Sequence, residues 1–128
     1  MLVNIPVSVG ELFDKISILE IKKKKIKNKE HLKKIKYELN KLNLIIKKKR
    51  LNSMLIRTEF NKLKNINLRL WNIEDKKRKY EKNKNFNDNF IYLARKVYLL
   101  NDKRALIKLN INNLSGSQIK EVKSYEKY

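Results

Sequence analysis

The sequence predicts an all-α protein, an antiparallel bundle of three or four long helices with coiled-coil-like seams. The 128 residues include two Gly and one Pro, so few residues would interrupt a helix. Apolar residues recur at spacings of three and four over most of the chain, as on the buried stripe of a helix. The length predicts a single domain, residues 1–128, with a short apolar arm at 1–7 and a polar C-terminal tail at 117–128.

The first helix has a clear start. Ser8-Val9-Gly10-Glu11 has the form of a capping box, in which Ser8 accepts a hydrogen bond from the amide of Glu11 and the Glu11 side chain reaches back to the amide of Ser8. The helix is predicted to run from about residue 9 to about residue 27. The stretch KISILEIK also has the alternation of a strand. The cap and the lysine-rich continuation favour a helix.

A weak break or kink is predicted at KNKEH, residues 27–31, and a heptad seam follows it. The seam consists of Leu32, Ile35, Leu39, Leu42 and Ile46. It ends in KKKR at 47–50, where cations suit a helix C-terminus. The segment therefore predicts a second helix, continuous with the first or separated from it by the break.

The rest of the chain predicts two more helices. Ser53 can cap the first of them, and its seam is Ile56, Leu63, Ile66, Leu70, Ile73 and Tyr80. A turn at residues 82–88 follows, and Asn87 or Asp88 can cap the last helix. Gly116 suits the position after its end. The seam of this last helix is Leu93, Val97, Leu100, Ile107, Ile111 and Leu114, with Arg104 in the place of one apolar member.

Composition limits the chemistry that the chain can perform. Cysteine is absent, so the chain can form no disulfide and no thiolate zinc site. His31 is the one histidine and is expected to be exposed, and we predict neither a metal site nor a cofactor. The sequence contains no run of 18 apolar residues, so no membrane-spanning helix is predicted. The N-terminus lacks the basic region of a signal peptide, and we expect a cytoplasmic protein.

The formal net charge of +20 has two explanations. A basic surface can bind a polyanion such as nucleic acid. However, the cations are mostly Lys, and Lys, Asn and Ile all have A/T-rich codons, so genome composition alone would raise them together. Arg is the residue that reads guanines and phosphates with a forked contact. We therefore expect any nucleic-acid binding to be non-specific.

Charged residues inside the seams are the candidate site. Arg104 keeps its charge at a core position and needs a carboxylate, a bound anion or a route to water. Asn101 and Lys108 lie one turn on either side of it, and Asp102 is close by. Helix one and the third helix contribute further charged residues on partly apolar faces: Asp14, Lys15, Glu20, Lys22, Glu74 and Arg78.

Two interpretations fit these charges. In the first, Asp14, Glu20 and Glu74 neutralise the cations in internal ion pairs that fix the register of the helices. In the second, Arg104 and its cationic neighbours leave a gap for an anionic ligand, and the carboxylates orient them. Glu11 is explained by the capping box in both. Because the seams are narrow, we also expect a homodimer.

The sequence also resembles a known family, an uncharacterised bacterial and phage family of short helical proteins. The matching stretches are VSVGELFDKISILEIK (7–22), LWNIEDKKR (70–78), FIYLARKVYLLNDKRALIKLNINNLSGS (90–117) and EVKSY (121–125). They carry most of the charged residues inside the seams. The lysine-rich middle, residues 23–69, carries no matching motif. The resemblance implies membership of the family and supplies no activity.

A weaker similarity, of architecture alone, is to the all-helical chorismate mutase fold. In that fold Arg and Lys side chains in a helical dimer hold a dicarboxylate substrate. The similarity implies that Lys15, Lys22, Arg78 and Arg104 would bind the anion and that Glu20 would orient them. A small helical enzyme acting on an anionic metabolite is therefore an alternative to a binding protein.

The expected function is that of an accessory protein with a cation-lined polar pocket in the bundle. The pocket would lie between helices one, three and four and bind a small anion or an acidic protein segment. Arg104, Lys15 and Arg78 would supply the positive charge, and Glu20 and Glu74 would orient it. Non-specific nucleic-acid binding through the basic surface is a further alternative.

Overall fold

The computed structural model describes residues 1–125, which form four helices and no strand. They are α1 (Val9–Lys25), α2 (Lys29–Lys48), α3 (Met54–Lys82) and α4 (Asp88–Ser115). The prediction of an all-α fold is confirmed. The lysine-rich segment at 27–31 contains a true break, so α1 and α2 are separate helices.

Side-chain caps define where the helices begin. Ser8, Asn28, Ser53 and Asn87 each accept a hydrogen bond from the amide three residues ahead. The caps at Ser8, Ser53 and Asn87 agree with the sequence, whereas Asn28 was not predicted. Its bond to the amide of His31 starts α2 and accounts for the break. At the other end of α4, Gly116 adopts φ 67°, the left-handed conformation expected of a C′ glycine.

The central helix of the bundle is α1, which packs against α2, α3 and α4. Lys15 of α1 meets Glu38 of α2, and Asp14 meets Arg104 of α4. Gly10 meets Asn112 further along α4, so α4 runs antiparallel to α1. The three-residue connection between the packed helices α1 and α2 makes α2 antiparallel to α1 as well. In contrast, α3 runs in the same general direction as α1, because Phe13 contacts Phe60 and, further along both helices, Ser17 contacts Asn67. α3 and α4 form an antiparallel hairpin.

The core lies on two sides of α1. One cluster joins α1 to α2 and contains Leu12, Ile16, Leu19, Ile35 and Leu39. The other joins α1 to α3 and α4 and contains Phe13, Ile56, Leu63 and Ile111. Most of these residues belong to the predicted seams. The two clusters share Phe60, Ile46 and Leu51 at their borders.

The outer ends of α3 and α4 extend beyond this core. No residue between 68 and 99 is fully buried. Leu70 and Val97, both predicted seam residues, are half-buried there, and the rings of Tyr80 and Phe90 meet at 6.3 Å near the turn. At the opposite end of α4, Leu114 is exposed. The predicted seam therefore extends beyond the part of α4 that is buried in the core.

Within residues 1–125, none of the four helices has both the length and the apolar character that crossing a membrane requires.

Gly10 allows α1 and α4 to approach closely. Its amide donates to Oδ1 of Asn112 at 2.6 Å. A Cβ atom at this position would lie 2.5 Å from the backbone oxygen of Lys108 and 3.0 Å from Oδ1 of Asn112. The backbone of a regular helix has little freedom to move aside. The absence of a side chain at position 10 therefore sets the distance between the two helices.

We predict that Gly10→Ala destabilises the fold by about 1–3 kcal/mol, because the added methyl group forces α1 away from α4. The Ala side chain should also weaken the hydrogen bond to Asn112. Urea denaturation followed by circular dichroism measures the change in the free energy of unfolding.

Gly116→Asn is the matched control. Apart from its chain neighbours and the backbone of its own helix, nothing in residues 1–125 lies within 4 Å of a Cβ at this position, and Asn tolerates the left-handed conformation. The control should change stability far less than Gly10→Ala. Equal stability of Gly10→Ala and wild type would show that the contact between α1 and α4 is not tight.

Candidate functional site

A buried carboxylate lies where α1, α3 and α4 meet. Asp14 of α1 is 1% exposed. Arg104 of α4 donates to it twice, from Nε to Oδ1 at 3.0 Å and from Nη2 to Oδ2 at 2.5 Å. Such a two-pronged pair fixes the orientation of both groups. The cation at a seam position thus has the carboxylate partner that its burial requires.

The third helix completes the contacts of Asp14. Asn67 of α3 donates from Nδ2 to Oδ1 of Asp14 at 2.8 Å and to Oγ of Ser17 at 2.6 Å. Ser17 in turn donates to the backbone oxygen of Asp14 at 2.7 Å. In the part of the chain that the structure describes, no buried side-chain nitrogen or oxygen lacks a partner. The buried charge is therefore fully hydrogen-bonded, as the low local dielectric demands.

Lys108, one turn after Arg104, is the second cation of the cluster. Its Nζ lies 3.1 Å from Oε2 of Glu11 and 3.1 Å from Oε2 of Glu121, in the C-terminal tail. Oδ2 of Asp14 is 3.9 Å away. The Lys108 side chain is 11% exposed, so these carboxylates replace most of its hydration. We call the five side chains Glu11, Asp14, Arg104, Lys108 and Glu121 the charge cluster.

Both cations hold their protons more strongly than usual. The hydrogen bond to Asp14 raises the pKa of Arg104 above its ordinary value, against the opposing effect of burial. Burial lowers the pKa of Lys108, but hydrogen bonds to Glu121 and Glu11 and the charge of Asp14 outweigh it, so that pKa is also raised. Arg104 and Lys108 therefore remain charged throughout the physiological pH range.

A cleft of about 410 Å³ opens beside the cluster. Arg104 and Lys108 form its wall on α4, together with Asn101, and the tail from Glu121 to Tyr125 forms the opposite side. The Arg104 side chain is 28% exposed, so part of the guanidinium is accessible from this cleft. The cleft combines fixed cations with a non-helical chain segment.

The structure brings together part of the predicted site. Asp14, Asn101, Arg104 and Lys108 meet at the cluster or line its cleft. Asp102 is near the cleft and pairs with Lys123 of the tail. These residues share one end of the contact between α1 and α4.

The other predicted residues lie apart from this cleft. Lys15 turns towards α2 and pairs with Glu38, and Glu20 pairs with Lys64 of α3 at 2.9 Å.

On the outer part of α3, Arg78 lies near Glu74 at 3.6 Å and is 81% exposed. Lys22 is half-buried near the end of α1. None of these side chains lines the cleft beside Arg104.

Sequence reasoning missed several residues of the site. Asn67 and Ser17 are uncharged, and only their position next to seam residues could have marked them. Glu11 was assigned to the capping box. Ser8 does accept from the amide of Glu11 at 3.0 Å, but the Glu11 carboxylate binds Lys108. Glu121 lies in the non-helical tail, where no periodicity indicates a contact.

In residues 1–125, no three His, Cys, Asp or Glu side chains are grouped so that they could hold a metal ion.

The chain belongs to a family of unknown function, DUF6165, whose model matches residues 1–128. The match includes the lysine-rich middle that the recognised motifs did not cover. The comparisons with curated proteins and with solved structures gave no significant match.

We predict that Arg104→Met destabilises the protein by about 3 kcal/mol, because it leaves the Asp14 carboxylate buried without its closest cation. Arg78→Met is the matched control, since Arg78 is mostly exposed and should contribute less than about 1 kcal/mol. Urea denaturation of both variants provides the comparison. Unchanged or higher stability of Arg104→Met would mean that the ion pair does not support the fold.

A double-mutant cycle isolates the charge interaction from the loss of packing. Asp14→Asn keeps an oxygen that can accept from Asn67 but removes the negative charge. In the Asp14→Asn background, Arg104→Met should lower the free energy of unfolding by at least about 1.5 kcal/mol less than it does in the wild type. Additive effects would contradict a direct interaction between the two side chains.

The raised pKa of Lys108 predicts a pH dependence at the alkaline end. The ordinary value is 10.5, and the folded value is higher. The charged Lys108 thus stabilises the fold fully below pH 10.5, and this contribution is lost as the pH rises through the folded pKa. The stability difference between wild type and Lys108→Met should shrink above that pH. Lys15→Met, at an exposed lysine, corrects for general alkaline effects, and a constant difference would contradict the prediction.

Proposed function

We propose that the protein is a binding protein whose cleft at Arg104 and Lys108 takes a carboxylate ligand. The ligand is a small dianion or an acidic segment of a partner protein. One observation carries the proposal: the Glu121 carboxylate, on a non-helical segment, already contacts Lys108 inside the cleft. We interpret the tail as an intramolecular occupant of the position that an external carboxylate would take.

The balance of charge supports exchange of one carboxylate for another. Arg104 is paired with Asp14, and Lys108 is paired with Glu11. With Glu121, the cluster contains three carboxylates and two cations. Glu121 is the one of the three that lies outside the helices. Replacing Glu121, whose side chain is 59% exposed, by one ligand carboxylate leaves the charge next to Lys108 unchanged, so only the tail has to move.

Arg104 supports recognition of a second acidic group. A guanidinium has five N–H donors, and Asp14 engages two of them. The group lines the cleft next to Lys108, one helical turn away. A dianion could bind Lys108 with one carboxylate and the accessible side of Arg104 with the other.

A homodimer and a cytoplasmic location are parts of the same proposal. The dimer is supported by apolar side chains left exposed on α4, including Ile91, Tyr92 and Leu106. Light scattering at several protein concentrations tests the dimer, and cell fractionation tests the location.

We predict that Glu121→Gln strengthens carboxylate binding by about tenfold, because a tethered competitor acts at a millimolar effective concentration. Lys108→Gln should abolish the binding. The measurement is a thermal-shift titration at low and high salt with succinate, malonate, citrate, inorganic phosphate and a peptide of residues 117–125.

Glu30→Gln is the control for the loss of one negative charge, since Glu30 is exposed in the first turn of α2. It should leave the titration unchanged. A response to the peptide alone indicates that the ligand is a protein segment bearing a glutamate, as the tail does at Glu121, whereas a response to dicarboxylates indicates a small ligand. No response in Glu121→Gln with any probe would overturn the proposal.

A further inference from the structure

The positive charge of the chain is concentrated in one segment. Residues 22–50 contain fourteen of the 33 Lys and Arg residues but two of the 13 Asp and Glu residues. A net charge of +12 thus lies on less than a quarter of the chain. Compositional bias alone would spread lysines in proportion to length, so their concentration here needs a further explanation.

α2, which carries much of this charge, lies at the edge of the bundle. It packs alongside α1, and within the described residues its backbone approaches neither α3 nor α4. Its apolar face, with Ile35 and Leu39, is buried in the core cluster with α1. The opposite face of the helix is open to solvent along its full length.

Five residues spaced at three and four form a ridge on that open face. They are Lys33, Tyr37, Lys41, Leu44 and Lys48, all of them exposed. We call them the α2 ridge. The ridge spans about 22 Å at 1.5 Å per residue. Duplex DNA presents one phosphate per strand for every ~3.4 Å of axis, so the ridge matches the length of about six base-pair steps.

A structural role is available to Lys48, in the last turn of α2, but not to Lys33 and Lys41. Lysines in the last turn of a helix stabilise its dipole, but Lys33 and Lys41 lie in the interior of α2. Among residues 1–125, no ion pair engages Lys33, Lys41 or Lys48, and the α2 carboxylate of Glu38 pairs with Lys15 instead. These ammonium groups are therefore available to an external anion.

The geometry favours nucleic acid over an anionic membrane as the occupant. A basic amphipathic helix binds a membrane by burying its apolar face in the lipid. The apolar face of α2 is already covered by α1. Contacts to a phosphodiester backbone need only exposed cations at regular intervals.

We propose that the α2 ridge binds the phosphodiester backbone of nucleic acid without sequence preference. Lysines act as point charges towards phosphates, and lack the forked contact with which Arg reads guanine. Tyr37 lies between the cations, with Nζ of Lys41 5.0 Å from the centre of its ring. Its exposed ring is available to stack on a base where the strand is single. This site is separate from the cleft at Arg104.

The test uses fluorescence anisotropy of the full-length protein with a labelled 20-base-pair duplex and a labelled single strand, over a series of salt concentrations. The variant Lys33→Gln/Lys41→Gln/Lys48→Gln should weaken duplex binding by at least about tenfold and lower the slope of log affinity against log salt by about 2–3. Tyr37→Ala should weaken binding to the single strand more than binding to the duplex. All three lysines are exposed, so the fold should survive, and circular dichroism checks this.

The matched control is Lys76→Gln/Lys79→Gln/Lys82→Gln, which removes the same charge from exposed positions of α3. It should weaken binding by less than about threefold, since long-range attraction falls off within a Debye length. Equal losses in the two triple variants would overturn the assignment to α2, as would no binding by the wild type at low salt. Lys108→Gln should leave nucleic-acid binding unchanged, which keeps this test independent of the cleft.

Discussion

The carboxylate of Asp14 connects the three helices on which the site is built. It lies on α1, accepts from Asn67 of α3, and is held by both prongs of Arg104 on α4. A buried ion pair adds little net stability compared with well-packed apolar residues, but breaking it by removing one partner is costly. A shift of α4 by one turn, about 5.4 Å, would remove Arg104 from the buried carboxylate of Asp14. The pair therefore specifies the register of α1 against α4.

Gly10 and Asn112 fix the same register at a second point. Gly10 lies one turn before Asp14 on the same face of α1, and Asn112 lies two turns after Arg104 on α4. The backbones of α1 and α4 approach closely at Gly10 and Lys108. This close approach places the Lys108 side chain within reach of both Glu11 and Asp14. Close backbone packing and the charge cluster thus depend on each other. The contact between α1 and α2, in contrast, is mainly apolar and exerts less control over register.

Helical periodicity predicted much of the fold because caps and seams are local features. Ser8, Ser53, Asn87 and Gly116 act within a few residues of their own positions, and the structure confirms them. The same periodicity identified Arg104 as a cation that needs a carboxylate, with Asp14 among the candidates. It could not show which neighbouring helix each face would meet. Lys15 follows Asp14 directly in the sequence. However, successive side chains of a helix differ in direction by about 100°, so Lys15 faces α2 and pairs with Glu38. Contacts with the tail, such as that of Glu121, have no periodic signal at all.

The charges of the protein divide into two regions with different physical properties. At the cleft, cations are paired with carboxylates and poorly solvated, so any ligand there must exchange with an existing partner. Its affinity would depend on geometry and only weakly on salt. Along α2, exposed lysines outnumber carboxylates and are surrounded by counterions, so binding there would gain mainly from counterion release. The net charge of +20 arises largely from exposed lysines such as those along α2, whereas the paired charges at the cleft contribute little to it. For this reason a salt series separates the two proposed sites even in a protein that contains both.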